Sequence, residues 1–145
     1  MTLNFSTDSS DVATILRHLQ CCDASFQPPL SKRVDLADYA SKLAHTATRF
    51  EAWSGCCLVG LVAIYCNTPG RSKAFVSNVS VLPANTGQGI GQSLMVNAID
   101  HARALGFTNL SLEVDARASS ALRLYQKLGF RLVSDVDPCR LELRL

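Results

Sequence analysis

Three glycines at alternate positions, Gly87, Gly89 and Gly91, stand where one periodicity of the chain gives way to another. Before them, residues 73–82 read as a β-strand that stops at Pro83. After them, Ile90, Leu94, Ala98, Ala102 and Leu105 recur along one face of a helix. A glycine-rich strand-to-helix junction leaves backbone N–H groups unobstructed beside the positive end of a helix dipole. Such a junction suits an anion, best a phosphate or pyrophosphate. The same glycines would also serve as a tight turn that binds nothing. Two other phosphate loops are excluded by spacing. A P-loop needs Gly-Lys-Ser/Thr, and Gly91-Gln92-Ser93 has no lysine. The dinucleotide fingerprint needs a small residue where Gln92 stands, inside a parallel βαβ unit, whereas here a run of apparent hairpins comes first.

The rest of the chain extends this pattern. Residues 2–6 suit a short strand, and Val12, Ile15, Leu16 and Leu19 mark an amphipathic helix. Residues 23–33, with Pro28-Pro29, read as a loop. A second helix follows from Leu36, Tyr39, Ala40, Leu43, Ala44 and Ala47. Three β-like runs come next, at 49–53, 56–67 and 73–82. Ser54-Gly55 makes a two-residue turn between the first two, and residues 68–72 separate the last two. Gly106 ends the long helix from Ile90. A strand over 109–114 precedes a helix marked by Ala118, Ala121, Leu122, Tyr125 and Leu128, which Gly129 ends. Strands over 130–134 and 139–144 complete the order β-α-α-β-β-β-α-β-α-β-β. That order predicts an α/β (α+β) fold with a mixed sheet flanked by about four helices: antiparallel hairpins first, then helical crossovers able to join parallel strands.

At 145 residues the chain is about one domain long, and neither a repeat nor a low-complexity linker divides it, so residues 1–145 are expected to form a single domain. Its 48% apolar and 18% charged residues exclude a disordered or fibrous chain. A net charge of +2 without like-charge runs argues against a nucleic-acid partner. The longest apolar run, 56–66 with Gly60 inside it, falls short of the roughly 18 residues of a membrane span. The start, Met1-Thr2-Leu3-Asn4-Phe5-Ser6, has neither the basic nor the apolar segment of a signal peptide, so a cytoplasmic location is expected. The six cysteines lack zinc-site spacing; no metal is expected, and the thiols should behave as small buried hydrophobes. His18 and His101 read as solvent-facing and His45 lies beside Ala44, so no histidine is singled out for catalysis.

Val81-x-Pro83 followed by Gly87-x-Gly89-Ile90-Gly91-x-x-Leu94 resembles the acyl-CoA-binding motif of the GNAT superfamily of N-acetyltransferases. Leu112-Glu113-Val114, then Ala121-x-x-Leu124-Tyr125-x-Lys127-x-Gly129-Phe130, is similar to that superfamily's downstream strand and helix. The resemblance implies a GNAT-like fold and acetyl-CoA as co-substrate. It implies that backbone amides around Gly87, Gln88, Gly89, Ile90 and Gly91 hold the CoA pyrophosphate, and that backbone groups of Val79 and Val81 pair with pantetheine as an added strand would. It implies that Tyr125 protonates the departing CoA thiolate; read from the stripe alone, Tyr125 would also serve as a core aromatic. Thr86 stands where the family usually has Arg or Gln at the start of the loop, and Ala118 where it usually has Asn.

An acceptor amine arrives protonated, because an ammonium of this kind has a pKa of about 10.4, and its proton needs a route. Glu113 lies twelve residues before Tyr125, in the Leu-Glu-Val setting in which the protein-α-amine branch of the family carries a base. It would otherwise be a solvated strand carboxylate. Glu51, Ser77 and Asn78 are rivals for the role. Acceptor choice is expected to lie with the first two helices, the loop from Phe26 through Gln27, Pro28, Pro29, Leu30, Ser31 and Lys32 to Arg33, and Trp53 and Tyr65. The expected partner is a small-molecule amine, an amino sugar among them, or a peptide α-amine, acted on by a monomer or homodimer. The alternative is a catalytically weak acyl-CoA-binding domain of the same fold.

Overall fold

The computed structural model describes every residue except Met1, Gln27 and Thr68. Gln27 of the predicted acceptor loop, Thr68 of the predicted strand connection and Met1 of the amino-terminal reading thus lie outside the described residues. The elements follow the predicted order: β1 (Asn4–Thr7), α1 (Val12–Cys22), α2 (Leu36–Thr46), β2 (Thr48–Ser54), β3 (Cys57–Tyr65), β4 (Lys73–Val81), α3 (Ile90–Ala104), β5 (Asn109–Val114), α4 (Ser119–Lys127), β6 (Arg131–Ser134) and β7 (Cys139–Arg144). The β2–β3 turn is Gly55-Cys56 rather than Ser54-Gly55, for Ser54 already pairs with Cys57. Gly55 takes φ +58°, a left-handed value that glycine adopts readily. The expected loop 23–33 holds two short 3₁₀ turns, Asp23–Ser25 and Leu30–Lys32. They are laced together where the Ser31 N–H and hydroxyl donate to the Asp23 carboxylate at 2.7 and 2.6 Å.

Seven strands form one sheet in the order β1-β2-β3-β4-β5-β7-β6. Of the two helical crossovers, only α3 joins parallel neighbours, β4 and β5. After α4, β7 inserts antiparallel between β5 and β6, so the expected second parallel pairing does not form. Along β3, Leu61 and Ala63 face a core with Ile15 and Leu19 of α1 and Leu43 of α2, while Val62 and Ile64 face a core with Leu94 and Met95 of α3. This alternation puts α1 and α2 on one side of the sheet and α3 on the other. Each buried Leu or Ile contributes about 1.5–3 kcal/mol to holding the layers together.

One extra residue in β4 decides which side chains meet which layer. Ile64 pairs with Val76, but the next residue back along β3, Ala63, pairs with Asn78, so Ser77 is a β-bulge. Beyond it, Asn78 and Ser80 lie opposite Ala63 and Leu61 on the α1–α2 side, and Val79 lies opposite Val62 on the α3 side. Two polar residues are thereby delivered to one face and valines to the other.

The helices differ at their starts. Asp11 and Asp35 cap α1 and α2, accepting from the N–H groups of Thr14 at 2.8 Å and Asp38 at 3.0 Å. Neither α3 nor α4 has a side-chain cap: Gly89, left-handed at φ +77°, precedes α3, and Ala118 precedes α4. The first N–H groups of α3 therefore have no partner in their own helix or cap.

Candidate active site

Parallel pairing of β4 with β5 runs from Lys73–Asn109 to Val76–Leu112 and stops. Past that point β4 stays with β3 as far as Val81, and β5 stays with β7 as far as Val114. The two strands splay apart, and a cleft of about 560 Å³ opens between them. The Leu82 N–H donates to the Val59 carbonyl at 2.9 Å, which sets the phase of the β3–β4 ladder. Since antiparallel partners alternate, Ser80 and Asn78 direct their backbone groups at β3, and Val79 and Val81 direct theirs into the cleft. The splay thus presents an unpaired strand edge at the two valines singled out in the sequence.

Tyr125 of α4 lines the cleft and is 6% exposed, its ring edge-on to Phe130 at 5.9 Å. Burial pushes its phenol up to about 12. The Cys22 thiol at another wall of the cleft is likewise pushed up to about 12, first by burial. Glu113, exposed at the end of β5, and Thr86 also line the cleft. The Thr86 hydroxyl donates to the Pro83 carbonyl at 3.0 Å, so it closes its own turn. Gly87 to Gly91 lie outside the cleft wall. Gln88 and Gly89 instead border a shallow hollow with Phe5, Gln92, Ser93 and Val96. Gly87 and Gly89, at φ +80° and +77°, set the loop in a conformation that other residues enter at a cost. A Cβ on either would meet nothing within 4 Å, so backbone and not side chains forms the surface here.

The α1–α2 side of the cleft is polar at its floor. The Tyr39 hydroxyl donates to the Ser77 carbonyl at 3.0 Å and lies 2.6 Å from Ser77 Oγ. Behind it, Ser80 Oγ lies 2.7 Å from Asn78 Oδ1 and 2.9 Å from Nε2 of His18, whose Nδ1 donates to the Leu58 carbonyl at 3.0 Å. His18, expected in solvent, is 2% exposed, because α1 turns it inward onto the polar end of β4. His101 packs edge-on to Phe50 at 5.4 Å rather than standing free. Cys22 and Cys139 are buried as expected, but Cys21, Cys56 and Cys57 are exposed.

Of the expected acceptor residues, Phe26, Pro28, Leu30 and Arg33 reach the cleft. Trp53 and Tyr65 do not: Trp53 Nε1–H donates to Ser6 Oγ at 2.7 Å on the β1 side, and Tyr65 packs over the α1–α2 core beneath Lys42. Glu51 is also away from the cleft. It is fully buried, accepts from Ser6 Oγ and the Ser9 N–H at 2.9 Å, from the Ser10 N–H at 3.0 Å and from Ser10 Oγ, and pairs with Arg49 at 3.6 Å. A carboxylate so enclosed fastens the segment before α1 to β2, and it is withdrawn as a rival base.

Sequence reading missed Ser80, Tyr39 and Asp115 at the cleft. The signal for Ser80 was two polar residues at alternate positions of an otherwise apolar strand; Tyr39 was masked by its place on an apolar helix stripe. Asp115 grips Arg117 through two contacts of 2.9 Å, and these bonds hold its carboxyl down to about 2.

Among the described residues, no helix is long and apolar enough to cross a membrane. Over 52 residues, 36% of this chain, the sequence is 46% identical to a mycothiol acetyltransferase of Streptosporangium roseum; that stretch spans 15% of the longer protein. The ribosomal-protein-S18-alanine N-acetyltransferase of Escherichia coli is 21% identical and superposes with a TM-score of 0.79, covering 99% of this chain and 94% of that one. YncA, a putative acetyltransferase of Salmonella typhimurium solved with acetyl-CoA, is 18% identical with a TM-score of 0.74, covering 100% of this chain and 95% of that one. These likenesses extend the fold over the whole chain, and residues 13–130 match the Acetyltransferase (GNAT) family. The chain belongs to the GNAT acetyltransferase family.

Proposed function

We propose that this chain is a single-domain, cytoplasmic N-acetyltransferase that moves the acetyl group of acetyl-CoA directly to a primary amine, carried by a small molecule such as an amino sugar or by a protein α-amine. The observation that carries the reading is the splay of β4 from β5. It leaves the backbone groups of Val79 and Val81 unpaired along one wall, with Tyr125 and Glu113 on the same cleft. The extended pantetheine arm fits that edge as an added strand. The pyrophosphate fits the uncapped start of α3, held by the amides of Gly87, Gln88, Gly89, Ile90 and Gly91, which follow Thr86.

Within this site Glu113 takes the proton of the acceptor ammonium, and the freed amine attacks the thioester carbonyl. Tyr125 protonates the departing sulfur. Burial keeps the phenol protonated at every working pH. A thiolate released beside the phenol loses part of its hydration, which raises its affinity for the proton that Tyr125 carries.

Thermal unfolding with and without acetyl-CoA tests the reading. Ligand at about 100 times its Kd adds about 2.7 kcal/mol, which raises the midpoint by roughly 5–11 °C for a chain of this size. Gly89→Glu should abolish that rise, since it strains a left-handed position and puts a negative charge in the anion cradle. No rise at millimolar acetyl-CoA would refute the reading. A rise without acetyl transfer to any amine would favour a binding domain, the alternative supported by Thr86 and Ala118 offering the cofactor no long polar side chain.

A further inference from the structure

Behind the cleft, Ser80 Oγ makes two short contacts with acceptor atoms, and the Cys22 thiol, 3.7 Å from one of them, is a weaker donor. The Leu58 carbonyl only accepts, so His18 Nδ1 carries a hydrogen. His18 Nε2 and Asn78 Oδ1 then both face Ser80 Oγ, at 2.9 and 2.7 Å, and Ser80 has a single hydroxyl hydrogen. With a neutral imidazole, Nε2 is bare and takes that hydrogen; Asn78 must then turn its amide so that Nδ2 donates to Ser80 Oγ. With an imidazolium, Nε2–H donates to Ser80 Oγ, and Ser80 donates to Asn78 Oδ1. Rotating the amide end for end exchanges its oxygen and nitrogen on one heavy-atom skeleton, so both states fit the same fold.

We propose that His18, acting through Ser80, sets which end of the Asn78 amide faces the cleft, so that Asn78 offers its carbonyl oxygen to an incoming ammonium only while His18 is neutral. The inference rests on reading the splay as the place where amine and thioester meet. Asn78 and Glu113 lie just past the last β4–β5 pair, on opposite strands, and both line the cleft. An ammonium there is accepted by an amide oxygen and opposed by an amide NH₂. His18 is thus a positioning residue, and Asn78 is the group that touches the acceptor.

The surroundings of His18 let its own protonation control the state. On α1, Cys22 Sγ lies 3.7 Å from Nε2 with its thiol kept protonated by burial. From β3 comes the Leu58 carbonyl, and from β4 come Ser80 and Asn78. From α2, Tyr39 stands beyond Asn78, its phenol also held protonated by burial. None of these groups is charged at neutral pH. Burial therefore dominates and lowers the imidazole from its ordinary 6.5. The site is set for an ammonium at neutral pH and is switched off as pH falls.

The test is a pH titration of the ¹⁵N-labelled full chain, following the His18 ring nitrogens and the Asn78 side-chain NH₂. In the wild type the Asn78 signals should move with the His18 midpoint. In Ser80→Ala, His18 should still titrate while Asn78 no longer follows. In parallel, the KM for butylamine, an ammonium throughout this range, should rise about tenfold as His18 protonates, with kcat changing less. That rise should vanish in Ser80→Ala. An Asn78 signal indifferent to His18, or a KM rise that survives Ser80→Ala, would overturn the proposal. If butylamine is not acetylated by protein that binds acetyl-CoA, the proposed function fails, while the Asn78 titration still decides the switch.

Discussion

Gly60 of β3 lies so close under Ile90, the first residue of α3, that a Cβ on the glycine would stand 2.6 Å from Ile90 Cγ2. This contact seats the start of α3, and with it the glycine loop, directly on the sheet. Leu94 is 3.2 Å from the same point, so two side chains of α3 would have to shift. Gly60→Ala should cost about 1–3 kcal/mol by overpacking and should also weaken acetyl-CoA binding, because relief moves the helix start. Urea denaturation and a ligand titration on the same variant check both effects. Unchanged affinity would show that the loop is positioned independently of β3.

Tyr125→Phe removes one hydroxyl and keeps the edge-on contact with Phe130. Acetyl transfer should fall by about 10²–10⁴-fold, with little change in acetyl-CoA affinity. Steady-state kinetics across pH settle it. A variant with wild-type turnover at every pH would make Tyr125 a core residue only.

Glu113 and Glu51 should separate cleanly. Glu113→Gln should lower acetyl transfer by about 10²-fold, most strongly below the acceptor amine's pKa, and leave stability nearly unchanged. A loss uniform in pH would remove the base role. Glu51→Ala should instead cost about 3–5 kcal/mol, because it takes one of two carboxylates from the buried Arg49 and leaves the Ser9 and Ser10 donors without their acceptor. Its residual activity, measured below its unfolding midpoint, should be near normal.

Stability should have a defined pH window. The His18 pKa is lowered by folding, so its contribution is complete above about 6.5 and is lost as pH falls. Asp115 follows the same sign lower down, its contribution disappearing between its ordinary 3.8 and about 2. Tyr125 is raised by folding, so its contribution is complete below 10 and is lost as pH climbs towards about 12. The Cys22 thiol, raised from 9.0 to about 12, has the sign of Tyr125 and begins to lose its contribution first, so urea midpoints should be highest between about pH 7 and 9 and fall on both sides. A midpoint unchanged from pH 7.5 to 5.5 would contradict the burial of a neutral His18.

The order of elements was legible because each helix and strand carries its own periodicity, and because Gly106 and Gly129, at φ +89° and +102°, punctuate it. That Val79, Val81, Glu113 and Tyr125 share one cleft was legible through the resemblance of the two motifs to the GNAT superfamily. Long-range consequences were not. His18 interrupts a stripe when α1 is read alone, and only the docking of α1 against β4 supplies Leu58 and Ser80 as its partners. Glu51 reads as a strand carboxylate like Glu113. What distinguishes them is that the turn before α1 folds three N–H or hydroxyl donors from Ser9 and Ser10 onto the first and none onto the second. The position of β7 between β5 and β6 was likewise hidden, since local pattern does not encode strand order.

The extra residue at Ser77 puts the two halves of β4 out of step along the sequence: Val76 lies opposite Ile64 on the α3 side, and Asn78, two residues on, lies opposite Ala63 on the other. Removing Ser77 would leave Val76 and Asn78 opposite the same partners, so the sheet would close into a regular ladder. What would go is the seat of the Tyr39 hydroxyl, which rests on the Ser77 carbonyl and hydroxyl. One residue fewer at that point is therefore borne by the sheet and felt at the cleft. In a related chain that lacks the insertion, the equivalent polar pair stands one residue nearer the start of the strand.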